Sequence, residues 1–301
     1  MANAHTLRPP GLDADSVTAI VGLVSDTHFP QRCRQLPPAL FAVLDGVDLL
    51  LHGGDVGVLS VLDDLSRLAP VVAVHGNDDT EEAQRELPYR QIVTIAGTRI
   101  FLWHSHYQDP VEEHASRIGD DMVGKFDRTV VAARQAGASI AVFGHWHIPL
   151  VYARDGITVV NPGAIASGNE FTRQLVQTVA LLFLTRDGGH YIVHVDLANP
   201  DRSFVSPVDV YAGFDAAASY FSASIVTPEL RAMVPKLRAG LTAEEFHDLR
   251  AIVAEVAHRC WSGELPLLDV DLVRVQFEQR EALSPALRQK LAAIFDPLPR
   301  A

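Results

Sequence analysis

Cysteine is scarce: Cys33 and Cys260 are the only two in 301 residues. They lie far apart and form no Cys-x-x-Cys motif, which argues against a disulfide framework and a thiolate zinc site and suits a reducing compartment. Clusters of Lys and Arg are also missing. With 25 basic against 37 acidic residues the formal charge is −12, so long nucleic acid, which needs a basic face, is not expected as a partner. Small phosphorylated molecules stay open, because a metal ion can supply positive charge locally. No apolar run approaches the roughly 20 residues of a membrane helix. The longest apolar-rich stretch, Leu175–Leu184, reads as a core strand. The opening residues lack the apolar segment of a secretory signal. The expected setting is the cytoplasm, with no membrane partner.

What the chain does have is apolar material, 48% of its residues, enough for one large domain or two smaller ones. Residues 1–18 read as a loosely packed lead-in. Beyond them, "AIVGLVSDTH", "VDLLLHGGD", "VVAVHGNDD" and "SIAVFGHWH" are buried strands that empty into polar loops. "QIVTIAGTRIFLWHSH" reads as a hairpin around Gly97, and two further hairpins should turn at Asp155-Gly156 and Gly188-Gly189. Helices are expected at Pro37–Leu44, Val58–Leu68 and Met122–Gln135.

The texture changes after Pro200, with a boundary expected within Leu197–Ser206. Residues 206–301 read as a helical extension. Thr242 and Glu245 form a capping-box pattern, Ser284 and Pro285 mark a helix start, and Pro235 should interrupt or bend Glu229–Arg238. This extension could pack on the catalytic part, mediate a homodimer, or act as a cap restricting substrate access.

The apolar runs share their endings: Asp26 and His28, Asp55, Asn77, His104 and His106, His145 and His147. Strand ends of one α/β assembly can bring such residues to one rim. Any single histidine reads most simply as a satisfied core residue, but that reading must then hold four separate times. Together these carboxylate, imidazole and amide donors describe a site for two divalent ions such as Mn²⁺, Fe²⁺, Co²⁺ or Zn²⁺, with Asp55 as the bridging carboxylate.

"SDTH", "GGD", "HGNDD", "WHSH" and "GHWH", in that order, resemble the five motifs of the calcineurin-like metallophosphoesterases, most closely the small bacterial and archaeal phosphodiesterase branch. "NPGA" at Asn161–Ala164 is similar to that branch's Asn-Pro-Gly-Ser turn. The resemblance spans about residues 19–197. It implies an α/β (α+β) fold, a two-sheet β-sandwich flanked by helices, forming a catalytic domain over 19–200. It further implies that Asp26, His28, Asp55 and His147 hold one metal, and Asp55, Asn77, His104 and His145 the other. Mn²⁺ is the first candidate, with Fe, Co²⁺, Ni²⁺ or Zn²⁺ as alternatives. A bridging hydroxide would then attack a small phosphodiester.

Asn77, His145, His106 and Asp78 are the candidate catalytic residues. Asp78 stands where many relatives carry a histidine that can protonate the leaving group, and an ordinary carboxylate is a poor acid at neutral pH. His106 could take over that role or contact phosphate. Asp79 is expected to orient its neighbours, and His52 and His75 to support the site. The arginines that Ser/Thr phosphatases use around the Asp and Asn motifs are missing, so protein phosphatase activity is not expected. Two other functions stay open: a nucleoside or dinucleoside polyphosphate hydrolase, and a scaffold that kept the fold without catalysis.

Overall fold

The computed structural model describes residues 2–280 and 283–295. Two five-stranded sheets form the body of the first compact unit, Met1–Gly168 with Gln174–Ser222. The first sheet contains β1 (Val17–Val24), β2 (Leu49–His52), β3 (Val71–Ala73), β10 (Thr178–Thr185) and β11 (His190–Asp196), in the order β11-β10-β1-β2-β3. The second contains β4 (Arg90–Ile95), β5 (Thr98–Trp103), β6 (Ile140–Phe143), β7 (Leu150–Arg154) and β8 (Ile157–Asn161), in the order β4-β5-β6-β8-β7. A short ribbon pairs β9 (Thr172–Gln174) with β12 (Ser222–Ser224).

Strand alternation shows why the sheets stack. All eight residues of β10 are buried, because its two faces meet different cores. Val179, Leu181 and Phe183 face the helix side, with Leu40 of α1 (Pro38–Val43) and Val61 of α2 (Ser60–Ser66). Ala180, Leu182 and Leu184 face the inter-sheet core, with Ile100, Leu102, Ile140 and Val142 of the second sheet. The outer side of that second sheet is covered by Phe126 and Val130 of α5 (Met122–Gln135). A side-chain period of two, with both faces apolar, demands this layering of helix, sheet, sheet and helix.

The parallel strands β1, β2 and β3 in one sheet, and β5, β6 and β8 in the other, set the position of the polar loops. Each run of hydrophobic residues ends where its strand ends, so Asp26, Asp55, Asn77, His104 and His145 all follow a carboxyl end. The expected hairpin turns are present: Asp155-Gly156 and Ala96-Gly97 both have positive φ, as a two-residue turn between twisted strands requires.

One expectation is corrected and a second is narrowed. The lead-in is not loose: Ala4 and Leu7 are buried in the first core, and the Ala4 amide donates to Asp45 O at 3.1 Å. Its alanine and leucine are too few for the sequence pattern to register. Pro235 does not interrupt its helix, since α7 runs unbroken over Pro228–Gly240. Leu230, Met233 and Leu237 bury one face of α7, and that packing offsets the hydrogen bond a proline removes.

The second compact unit, Asn169–Arg173 with Ala223–Ala301, carries α7, α8 (Ala243–Trp261), α9 (Val270–Gln279) and α10 (Pro285–Phe295). Two helices that follow site loops, α3 (Glu81–Glu86) after Asn77 and α4 (Pro110–Ile118) after His106, and one late helix, α6 (Phe214–Ser219), belong to the first. The helical unit has its own core, including Met233, Leu249, Cys260, Phe277 and Leu291. The Thr242–Glu245 capping box forms at the start of α8, and Ser284 Oγ accepts from Leu287 N at 3.1 Å before α10.

One buried histidine gives the fold a pH dependence. His194 on β11 donates from Nε2 to Asn161 O at 2.7 Å, and burial pushes its pKa down to about 4 from 6.5. The unfolded chain takes up a proton near 6.5 while the folded chain does not. Its contribution is therefore fully present above pH 6.5 and lost as pH falls toward 4, on the order of 3 kcal/mol. Urea unfolding at pH 7 and pH 4.5 should show this loss of stability, and His194→Asn should have the shallower pH slope. An unchanged slope in the variant would contradict the assignment.

Candidate metal centre

The strand-end loops adopt an uncommon backbone. Asp26, His28, Asp55, Ser105, His145 and His147 all have φ between 43° and 81°, in the left-handed region. Non-glycine residues there carry strain that the surrounding fold must hold, and such strain gathers at functional sites. Among the described non-glycine residues only Ala96 and Asp155, both in hairpin turns, share it outside these loops.

Glycines let the loops approach one another. A Cβ on Gly76 would lie 2.1 Å from Asp55 Oδ1, and one on Gly144 would lie 2.2 Å from Ser25 Oγ. This explains the glycine in "HGN" and in "GHW" as a matter of close contact rather than of turn type alone.

The donors converge. Asp26, His28 and His147 form one group, Asp26, Asp55 and His104 a second, and His28, Asp55 and Asp78 a third, with the atoms of each group within 4.8 Å of one another. His147 Nε2 is 3.1 Å from Asp26 Oδ1. Asp55 Oδ2 faces both His104 Nε2, at 3.2 Å, and His28 Nε2, at 3.6 Å. One carboxylate oxygen thus looks toward both sets of imidazoles, the position a bridging ligand requires.

Backbone carbonyls fix two of the rings. His104 Nδ1 lies 2.7 Å from Gly53 O and His147 Nδ1 2.9 Å from Ala166 O. A carbonyl can only accept, so each Nδ1 carries a proton and each Nε2 faces the centre, where a bound cation would take the place of any proton it holds. His52 differs. Gly54 N donates to its Nδ1 at 3.2 Å, and its Nε2 faces Thr27 Oγ1 at 3.1 Å, so both nitrogens are committed and the ring braces the loop.

Asn77 completes the test of fit. Its Nδ2 donates to Asp78 Oδ1 at 2.7 Å, while its Oδ1 is buried without a hydrogen-bond partner. A buried amide oxygen without a donor costs free energy, and a cation would satisfy it. The donor set fits divalent metal ions.

The electrostatics agree with that fit. Burial pushes the Asp26 carboxyl up, but His147 and His104 outweigh it and hold it at about 2. Burial opposes the charge on Asp55 in the same way, and His104 and His28 hold it well below the usual range. Burial also opposes charge on His104, where Asp55 dominates and raises the pKa to about 10. His28 is pushed down to about 4 by burial, against the pull of Asp55.

The remaining expected residues are near but differently engaged. His145 donates its backbone N–H to Asp26, and its Nε2 is 3.0 Å from Glu113 Oε1 on α4. It belongs to none of the three donor groups among the described residues. His106 is buried, packs against His104, His75 and Tyr89, and leaves Nδ1 without a partner. Asp79 accepts from Gly57 N at 2.6 Å and Gly76 N at 2.7 Å, tying the second and third loops together as expected. Asn161 of "NPGA" donates to Gly144 O at 2.9 Å and so holds the "GHW" loop.

Three residues escaped the sequence reading. Arg32 donates to Asp78 Oδ2 at 2.7 Å, bringing to the Asn77 loop an arginine from outside the five motifs. Its signal was the four-residue spacing after His28. Glu113 and Arg128 had no local signal, since each arrives from a helix. Arg128 donates to Ser105 O at 2.5 Å and His106 O at 3.1 Å, and its guanidinium lies 3.7 Å from the Tyr107 ring centre. It pins the His104–Tyr107 turn.

Buried carboxylate, imidazole and amide donors at one edge of a two-sheet sandwich are the makings of a divalent-metal centre. The chain belongs to the calcineurin-like phosphoesterase superfamily, whose domain model matches residues 20–187. A probable metallophosphoesterase of Methanocaldococcus jannaschii is 34% identical over 147 residues, covering 49% of this chain and 68% of that protein. Another, from Methanothermobacter thermautotrophicus, is 30% identical over 145 residues, covering 48% and 76%. The solved structure of vacuolar protein sorting 29 from Cryptosporidium parvum aligns with a TM-score of 0.43 at 20% identity, covering 60% of this chain and 98% of that one. The family assignment rests on the sequence matches. The helical unit after Ser222 lies outside the family match.

The glycine contact gives a direct test. Gly76→Ala must push Asp55 out of place, and Mn²⁺ affinity should fall by at least about tenfold with the far-UV spectrum retained. Titration calorimetry of the metal-free protein reads this. Wild-type affinity in the variant would show that Asp55 does not take part.

Proposed function

We propose that the protein is a metal-dependent phosphoesterase that hydrolyses small phosphodiesters. The observation that carries the reading is Asn77, whose amide group is tied to Asp78 while its buried oxygen has no donor, beside converging carboxylates and imidazoles. Two divalent ions, Mn²⁺ the first candidate, would supply positive charge for the phosphate oxygens and a nucleophile from water near neutral pH. Asp26, His28, Asp55 and His147 would hold the first ion. Asp55, Asn77, His104 and His145 would hold the second, with the His145 ring leaving Glu113.

The chain's own residues then shape the reaction. The carbonyl contacts of His104 and His147 hold the imidazoles in one orientation, which removes reorganisation at the moment of reaction. Burial, with His104 and His145 nearby, pushes His106 down to about 3. A ring kept neutral supports a hydrogen-bonding role toward substrate rather than that of a proton donor. Asp78 is the partner of a guanidinium and an amide N–H, placed to accept. With neither positioned to protonate a poor leaving group, diesters with good leaving groups are the favoured substrates.

Hydrolysis of bis(p-nitrophenyl) phosphate is the test. Activity should vanish with a chelator, return with Mn²⁺, and fall at least about a hundredfold in Asp55→Asn and in His145→Ala. Full activity in both purified variants would sink the reading.

A further inference from the structure

The Arg32–Asp78 pair occupies the rim of the donor cluster. Arg32 follows His28 by one turn, its amide donating to His28 O at 2.9 Å. Its side chain is 13% exposed and that of Asp78 33% exposed, with Nη2 and Oδ2 2.7 Å apart. Nη1 donates to Ser167 O at 3.1 Å and lies 3.2 Å from His28 Nδ1. One guanidinium thus ties together three loops, those of His28, of Asn77 and of the Ala166 carbonyl that orients His147. Asp78 in turn sits with a carboxylate oxygen in the same donor group as His28 and Asp55.

We infer that Arg32 is a phosphate-binding residue and that Asp78 makes the site selective for monoanionic phosphodiesters over dianionic phosphomonoesters. The inference rests on the phosphoesterase reading and deepens it. A guanidinium presents a planar fork of donors that matches two oxygens of a phosphate as well as those of a carboxylate. Arg32 meets Asp78 through Nη2 alone, so a phosphate oxygen bound at this edge of the guanidinium would share that donor with the carboxylate and lie beside its charge. A diester brings one negative charge, which the guanidinium can meet beside Asp78. A monoester brings a second charge against the half-buried Asp78 carboxylate, where solvent screens it incompletely. The carboxylate at position 78 repels that extra charge, whereas an uncharged side chain there would not. Asn77 holds the other Asp78 oxygen, so the carboxylate stays at the rim.

Two variants and two readouts decide it. Asp78→Asn keeps the size and the hydrogen-bonding atoms and removes the charge. It should raise kcat/KM for p-nitrophenyl phosphate relative to bis(p-nitrophenyl) phosphate by about tenfold, chiefly through KM for the monoester. Arg32→Lys keeps the charge and loses the fork. It should weaken binding of inorganic phosphate to the Mn²⁺-loaded protein, measured by calorimetry, by about tenfold. A substrate ratio unchanged in Asp78→Asn, or phosphate affinity unchanged in Arg32→Lys, would overturn the inference. A wild-type protein that hydrolyses neither ester sinks the phosphoesterase reading instead, while the phosphate-binding arm still decides the role of Arg32.

Discussion

Everything at the strand ends is arranged around one buried carboxylate. Asp55 is 2% exposed and faces His28 and His104 through one oxygen while the other accepts from Asp78 N at 2.9 Å. Burying a carboxylate in a protein interior is costly unless its charge is met. Three loops therefore have to close on it at once. Their closure explains Gly76, which leaves room for Asp55 Oδ1, and the left-handed backbone at Asp55 and His28. The same demand explains why Asp79, itself held up at about 6 by burial and by Asp55, spends both oxygens on backbone amides rather than on the centre.

The sandwich supplies the rigidity that this closure needs. The inter-sheet core joins Leu23 and Leu51 of the first sheet with Leu102 and Val142 of the second, the residues just before the site loops on β1, β2, β5 and β6. Each donor thus stands a few residues beyond a side chain packed on both flanks, so its position is set by core packing rather than by loop preference. Contacts from outside the strands add to this. Arg128 reaches from α5 to fix the His104–Tyr107 turn, and Asn161 reaches from the end of β8 to Gly144.

Much of this was legible in the sequence because it is written in short, contiguous signals. An apolar run closing on Asp or His marks a strand and its loop together, and the order of five such endings pointed to the family before any coordinate. The Asp155-Gly156 turn and the Thr242–Glu245 box are local in the same sense, each determined by the chemistry of a few neighbouring residues. What stayed hidden depends on tertiary approach. Glu113 and Arg128 enter from helices whose own patterns say nothing of the centre. Arg32 lies only four residues beyond His28, but its meaning appears only when the "HGNDD" loop brings Asp78 to it. The buried Ala4 and Leu7 and the uninterrupted α7 were hidden because packing partners, not local propensity, decided them.

The central claim is that Asp55 is shared between two divalent ions held by the strand-end donors. Anomalous diffraction from crystals grown with Mn²⁺, collected on both sides of the manganese absorption edge, tests it most directly. The account predicts two peaks about 3.5–4 Å apart, flanking the Asp55 carboxylate, with Asn77 Oδ1 and the turned His145 ring on one of them. A single peak away from Asp55, or none in a crystal with the loops intact, would contradict it.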